Sequence, residues 1–398
     1  MKAFFQVLRK IGKLLLTPIL IVVTFVYAMF QGGFVSWFLF YSFLPFGLYS
    51  LLLSFYRFQI TDVQRITNQK EYAAGEKFKS TIILERKHPF PLLYLIVEDI
   101  LPAQLKKHGK AKVILFPGWK RHISYEYEFD SLPRGEHCFS KIRVKTGDMF
   151  GFVEKELTFS TPDTFLVYPQ YVDIAYRQLE TRFEQGTTSS NLHLERDATV
   201  SVGVREYKPG DRFSWIDWKT SARKNHLMTK EFEQQQSHDV VMFMDRTESP
   251  LFEQVVSFTA SLARAILRKG SQAALISIGK ERTFFPLRSG DSQQQCIFYH
   301  LAKVQADSTL PFSQTIATEL PKIQQPATFI LVTSKLSSDI ERIVGRATIQ
   351  NRNFLIFIVK EKPAQLSSEE SHILASLRKR QVFVKAVYEG HYTDAFLR

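Results

Sequence analysis

The sequence predicts a multidomain protein: two N-terminal transmembrane helices, then a β-sandwich-like domain, then an α/β domain on a mostly parallel sheet. Three observations carry this. No charged residue occurs from Leu14 to Tyr56. Segments of the next hundred residues alternate apolar and polar with period two, the mark of half-buried strands. Beyond residue 238, runs that are apolar throughout alternate with stretches of helical period, as in a parallel sheet covered on both faces. The boundaries read as 1–57 for the membrane anchor, 58–170 for the β domain, 171–237 for a linker and motif segment, and 238–398 for the α/β domain.

The uncharged run is long enough for two spans of about 20 residues each. Gln31-Gly32-Gly33 reads as a tight turn at its middle, which places helices at about 13–31 and 34–56. A cleaved signal peptide explains the basic start but not the second apolar run, and no small-x-small cleavage site is present. Lys2, Arg9, Lys10 and Lys13 precede the first helix, and Arg57, Arg65 and Lys70 follow the second. Basic flanks stay on the cytoplasmic side, so the expected location is the cell membrane, multi-pass, with both termini cytoplasmic. The chain has 52 basic and 39 acidic residues, a net charge of +13, which suits an anionic lipid surface.

In the β domain, ISYEYEF (123–129) puts Ile123, Tyr125, Tyr127 and Phe129 on one face. KFKSTIIL and KIRVK behave alike, and AAGE, KHPFP and LPRGEH supply turns. His137 and Cys138 are strand neighbours that point to opposite faces, so they form no catalytic pair; Cys138 is expected to be a buried thiol on the face of Ile142 and Val144.

In the last domain DVVMFMD (239–245) is the first strand, and LFEQVVSFTASLARAILRKG is a helix ended by Gly270. QAALISIG and RTFFPLR read as paired strands; ATFILVTS, NFLIFIVK and VFVKAVY are further strands with helices between them, a Rossmann-type α/β pattern. Such sheets bind ligands at the carboxyl ends of their strands. There Asp245, Thr247 and Ser249 form D-x-T-x-S. A carboxylate with two hydroxyls is an oxygen set for a hard cation such as Mg²⁺. Capping of the next helix by Thr247 or Ser249 is the reading the residues alone favour. Cys296 and His300 share one face of a helix, where packing explains them better than a thiol–imidazole couple.

D-x-T-x-S at the end of the first strand resembles the metal-ion-dependent adhesion site of von Willebrand factor A domains. The resemblance implies a von Willebrand A-like domain with a cation held by Asp245, Thr247, Ser249 and a later threonine, for which Thr315 is the match. Where that family places a second aspartate this sequence has Ser334.

The segment before this domain, VGVREYKPGDRFSWIDWKTSAR (202–223), resembles the domain-of-unknown-function family fifty-eight. The matching residues are Arg205-Glu206-Tyr207, Pro209-Gly210-Asp211, Ile216-Asp217-Trp218-Lys219 and Ser221-Ala222-Arg223. GDMFGF (147–152) and LVYPQ (166–170) match further stretches, with Met149 in place of a proline. Members are often encoded beside MoxR-type AAA+ ATPases and membrane proteins with transglutaminase-like domains, so the resemblance implies an adaptor for such partners. Read physically, VSVGVREY is a strand, and Ser214 to Asp217 cap a short helix. Trp218 packs partly inward, and Arg223 is the expected partner of a buried Glu206 or Asp217. The whole is a structural clasp, or a docking face rich in the residue types that dominate interfaces.

No phosphate-binding glycine loop, dinucleotide fingerprint, zinc-protease helix, nucleophile elbow or C-x-x-C occurs. No nucleic-acid recognition motif occurs either, and the basic residues are dispersed. The expected function is a non-enzymatic, membrane-anchored cytoplasmic scaffold. A divalent-metal-dependent enzyme at the cell envelope is the alternative.

Overall fold

The computed structural model describes residues 2–107, 109–176, 201–208, 211, 213–232, 239–350, 352–362 and 366–396. The chain divides into two compact units, residues 1–170 with 298–304, and residues 171–297 with 305–398.

The first unit opens with helices α1 (Lys2–Gln31) and α2 (Phe34–Phe55). Between them Gly32 takes a left-handed φ of 62°, a conformation that costs glycine least. α1 begins eleven residues earlier than the apolar run suggested, because Lys2–Gly12 holds no proline and continues the helical spacing of its apolar residues. α2 is long and apolar enough to cross a membrane; the apolar part of α1, Thr17–Gln31, is shorter. The helices approach closely at Gly47, where a Cβ would stand 2.8 Å from Ile21.

A two-sheet β structure follows. β1 (Ile60–Thr67), β2 (Glu71–Ala73), β3 (Phe78–Arg86), β4 (Leu95–Asp99), β5 (Lys112–Leu115), β6 (His122–Phe129), β7 (Gly135–Gly147) and β8 (Glu154–Tyr168) form sheets in the orders β1-β3-β6 and β2-β8-β7-β4-β5. Their inner faces meet around Phe78, which is fully buried and has the rings of Phe165, Tyr72, Phe129 and Phe139 at 4.9, 5.6, 5.8 and 5.9 Å. A buried ion pair crosses this interior. Arg65 of β1 donates to both carboxylate oxygens of Asp99 on β4 at 2.7 and 2.9 Å, and the Tyr127 hydroxyl donates to Asp99 at 2.7 Å.

The C-terminal turns of α2 belong to this unit. Leu53 is part of its core. The Ser50 hydroxyl donates to Asp148 at 2.7 Å, and Lys155 of β8 donates to the carbonyls of Ser54 and Tyr56. A cation on a helix's last carbonyls is the favourable end for its dipole.

Cys138 is exposed, contrary to the strand alternation, and His137 is buried instead. The register shifts between Phe139 and Lys141. This bulge changes the inward parity along β7, so Cys138 no longer shares the face of Ile142. Cys296 is exposed as well, which removes packing as its explanation.

The second unit contains β9 (Ser201–Glu206), α3 (Trp218–Lys224) and β10 (Met228–Phe232), followed by a six-stranded sheet. That sheet is built from β11 (Val240–Met244), α4 (Phe252–Arg268), β12 (Ala273–Ile278), β13 (Arg282–Arg288), α5 (Asp291–Lys303), α6 (Phe312–Glu319), β14 (Thr328–Thr333), α7 (Ser338–Ile349), β15 (Asn353–Lys360), α8 (Ser368–Lys379) and β16 (Phe383–Tyr388). The strand order is β13-β12-β11-β14-β15-β16, parallel except for β13. All five residues of β11 are buried, as a central strand covered on both faces requires. β13 alternates exposed and half-buried residues, as an edge strand does. Strand order reverses between β11 and β14, and the carboxyl ends of those strands are where open sheets of this type place ligands.

Candidate functional site

Two clusters gather the residues singled out in the sequence. The first is the motif. β9 and β10 pair antiparallel, with Thr229 opposite Arg205, and a bridge from Ile216 to Thr229 lays the intervening segment beside them. Asp217 caps α3 by accepting the Thr220 N–H at 3.0 Å. The Ser221 hydroxyl donates to the Asp217 carbonyl and accepts the Met228 N–H. Asn225 ends α3 in a left-handed conformation with φ 57°. Ile216, Met228 and Thr229 are buried.

The motif's ion pair differs from the expected one. Arg205 grips Asp211 with two parallel bonds of 2.7 and 2.8 Å, and Asp211 also accepts the Lys208 N–H at 2.9 Å. The Arg205 bond first, and the Lys208 N–H next, hold the Asp211 carboxyl below its ordinary range. The N–H of Thr220 does the same for Asp217. Glu206 and Arg223 are exposed, so Arg223 neutralises no buried carboxylate. Trp218 does not pack inward: it is 66% exposed, and Phe213 is 71% exposed. α3 buries none of its seven residues; the buried apolar side chain here is Ile216, which precedes the helix. Tyr207 stacks on Phe213 with ring centroids 6.0 Å apart. Pro209 and Gly210 lie outside the described residues.

The second cluster is at the carboxyl ends of β11 and β14. Asp245 is buried and accepts three bonds: the Thr247 N–H and hydroxyl at 2.9 and 2.8 Å on one oxygen, and the Thr333 hydroxyl at 2.6 Å on the other. Ser249 accepts the Leu251 N–H at 3.2 Å, and Leu251 rather than Thr247 or Ser249 is the N-cap position of α4, with no side-chain cap. The loop therefore organises itself and does not cap the helix. Thr315 lies within α6, buried, and not in a loop. Arg246, nearly buried, donates to Asp307 at 2.5 Å and to the Gln305 carbonyl at 3.2 Å. This pair lies directly on Gly279, where a Cβ would come 2.1 Å from Asp307.

The residues do not fit a cation. Both oxygens of Asp245 are already occupied by hydrogen-bond donors. Ser334 stands where a second carboxylate would be needed, and among the described residues no group of three or more acidic, histidine or cysteine side chains is close enough to hold a metal.

Further carboxylates lie in the same unit. Glu319 accepts from Arg282 at 2.7 and 3.0 Å and from Lys322 at 2.6 Å, and the Arg282 bonds hold its carboxyl below the ordinary 4.5. Burial pushes the Glu370 carboxyl up, but bonds from Lys360 and from the Ser367 and Leu336 N–H groups outweigh it and leave it lowered. A carboxyl depressed by folding adds stability that is complete above its unfolded value and is lost as pH falls through its folded one. Thermal unfolding of this unit should therefore drop in temperature as pH falls below the ordinary glutamate value of 4.5, and Glu319→Gln should flatten that slope. Parallel slopes for the two proteins would contradict the assignment.

Sequence reading placed Asp245 on its loop but missed Thr333, 88 residues away, and the Arg246–Asp307 pair. Neither has a local signal, because both form only when the sheet closes.

These features define a multidomain, sheet-rich protein with an apolar N-terminal helix and a compact charged motif before its α/β sheet. A family model described as a protein of unknown function, DUF58, matches residues 203–374. The uncharacterized protein YeaD of Bacillus subtilis (strain 168) is 41% identical over 384 residues, covering 95% of this chain and 96% of that one. The chain belongs to the DUF58 family. Among solved structures, the Pseudomonas fluorescens alkylpurine DNA glycosylase AlkC bound to abasic-site DNA overlaps 31% of this chain and 33% of its own, at 15% identity and a TM-score of 0.17. A Bacillus subtilis sporulation control protein overlaps 27% and 48%, at 13% identity and a TM-score of 0.15. Overlaps this low say nothing about the role of this chain.

Proposed function

We propose that the protein is a membrane-anchored cytoplasmic scaffold that recruits protein partners. The α1–α2 hairpin is its anchor, with both termini cytoplasmic, and its α/β sheet is a von Willebrand A-like domain. The sheet order, with one antiparallel strand beside β12, supports the domain reading. The basic flanks of the apolar run support the topology. A MoxR-type AAA+ ATPase is the partner the family resemblance points to, with a transglutaminase-like membrane protein as a second component.

The observation that carries the scaffold reading is the exposure of Phe213, Trp218 and Leu227 on the motif. Three of the motif's polar groups are spent internally: Arg205 on Asp211, Asp217 on α3, Ser221 on Met228. Beside the exposed charges of Glu206 and Arg223, it offers large apolar side chains outward on a pre-organised frame, which binds at low ordering cost.

The test is a crosslinked membrane pull-down with the tagged full-length chain. The ATPase should be recovered with wild type and reduced at least about tenfold by Trp218→Ala, since an aromatic hot spot is worth about 2 kcal/mol or more. Stability should stay within about 0.5 kcal/mol, as for other exposed substitutions. Equal recovery with Trp218→Ala and Phe213→Ala would remove the motif as the docking face, and no ATPase with wild type would remove the adaptor role.

A further inference from the structure

We propose that the β unit is seated in the lipid bilayer, with the loop from Asp148 to Val153 inserted beside α2 into the hydrocarbon, and is not merely tethered to the membrane surface. This rests on the reading of α2 as a membrane span.

The first ground is length. α2 has 22 residues, about 33 Å at 1.5 Å per residue, against a hydrocarbon layer of about 30 Å. A spanning α2 therefore has no spare length. Yet the β unit does not begin where α2 ends. The Phe150 ring lies 5.9 Å from the rings of both Phe46 and Phe43. Those residues precede Phe55 by nine and twelve positions, about 14 and 18 Å along the helix. If α2 spans, Phe150 lies well inside the hydrocarbon.

The second ground is that the loop is built for that depth. Its outward side chains are apolar: Met149 is 68% exposed and Phe150 50%. Its one charged side chain is matched internally. Asp148 is buried, accepting the Ser50 hydroxyl at 2.7 Å and the Val153 N–H at 2.9 Å, and the Asp148 N–H donates to the Val153 carbonyl at 3.1 Å.

The third ground is a second loop held against α2. The Tyr49 hydroxyl donates to the Pro91 carbonyl at 3.1 Å and accepts the Leu93 N–H at 3.3 Å, which sets that loop about 9 Å from the end of α2. Leu92 pairs with Gly118, which places the exposed Trp119 next to this loop. Exposed Lys120 and Arg121 follow directly. A tryptophan and two cations beside this second loop are the residue types that favour a bilayer's interface and its phosphates. The occupant that an apolar tip continuous with α2 and nearby exposed cations fit is an anionic phospholipid bilayer.

The experiment uses the full-length chain with Cys138→Ser and Cys296→Ser, reconstituted into phosphatidylethanolamine–phosphatidylglycerol vesicles. Nitroxide labels are placed singly on Leu39→Cys, Met149→Cys and Trp119→Cys, and collisions with oxygen and with a nickel chelate are measured. The expected result is a high oxygen-to-nickel ratio at 39 and 149, several-fold above that at 119. A lipid-like ratio at 39 with a water-like ratio at 149 overturns the seating and leaves the anchor intact. Water-like ratios at both overturn the anchor and the seating together. A label at 149 shielded from both reagents shows that another protein covers the loop, and also overturns the lipid seat.

Discussion

Asp99→Ala is expected to be among the most damaging single changes in the β unit, costing about 3–5 kcal/mol. Arg65 and Asp99 have side chains 1% and 0% exposed, so removing the carboxylate leaves a guanidinium in the sandwich interior with no anion beside it. Part of its hydrogen bonding survives, through the Thr161 carbonyl at 2.7 Å, and the Phe139 ring lies 4.5 Å away. Neither neutralises the charge. The Tyr127 hydroxyl loses its acceptor at the same time. Burial, and then the neighbouring Asp99, hold that phenol far above its ordinary range, so it remains a neutral donor throughout any accessible pH. The pair joins β1 of one sheet to β4 of the other, and Tyr127 adds β6. The effect should therefore appear in hydrogen exchange as faster exchange of β1, β4 and β6 together, alongside the shift in denaturant midpoint. The double variant Arg65→Met with Asp99→Leu should recover most of the loss, because a buried ion pair and a packed apolar pair of similar volume are often equivalent. A loss below about 1 kcal/mol for Asp99→Ala would show that water reaches the pair and that its desolvation has been overstated.

The same pair shows what the sequence could and could not reveal. Strands β11, β14 and β15 were legible because a parallel sheet covered on both faces requires runs such as Val240–Met244 with no polar interruption. β6 was legible because one face is wet, so its residues alternate. The REY and IDWK segments were legible as a family resemblance, and the family model covers them. Period, however, reports only which face a side chain takes. It carries no information on which charge on one sheet meets which on another. Arg65 to Asp99 spans 34 residues, and Arg205 to Asp211 spans a turn that leaves Arg223 in solvent. The bulge in β7 has no strong sequence mark, since it lies at Phe139–Lys141 without a glycine, and it reversed the expected burial of Cys138. The loop from Asp148 to Val153 shows in the sequence only as a variant of a family stretch, because its contact with Phe43 and Phe46 is a property of the folded unit.

At Asp245 the expected result is a split between two substitutions. Asp245→Ala should cost about 3 kcal/mol, since the Thr247 N–H, the Thr247 hydroxyl and the Thr333 hydroxyl all lose their acceptor in a buried place. Asp245→Asn should cost less than about 1 kcal/mol, for a specific reason. The Thr333 oxygen lies 2.6 Å from the carboxylate and 2.9 Å from the Lys335 carbonyl, and it has one proton to give. With a carboxylate present the proton goes to the charged, closer acceptor. With an amide present the hydroxyl turns to Lys335 and accepts from the new NH₂, while the amide oxygen still receives the Thr247 donors. Geometry is preserved and only the charge is lost. A cation site behaves differently: Asn removes the ligand's charge and Ala the ligand itself, so both weaken binding. Thermal unfolding of wild type and both variants, with and without millimolar Mg²⁺, separates the two. Loop organisation requires no Mg²⁺ shift in wild type and a near-native Asn variant. A wild-type unfolding temperature raised by Mg²⁺, with the rise reduced by both Asn and Ala, would show that Thr333 yields its place to a metal and that the donor set has been misjudged.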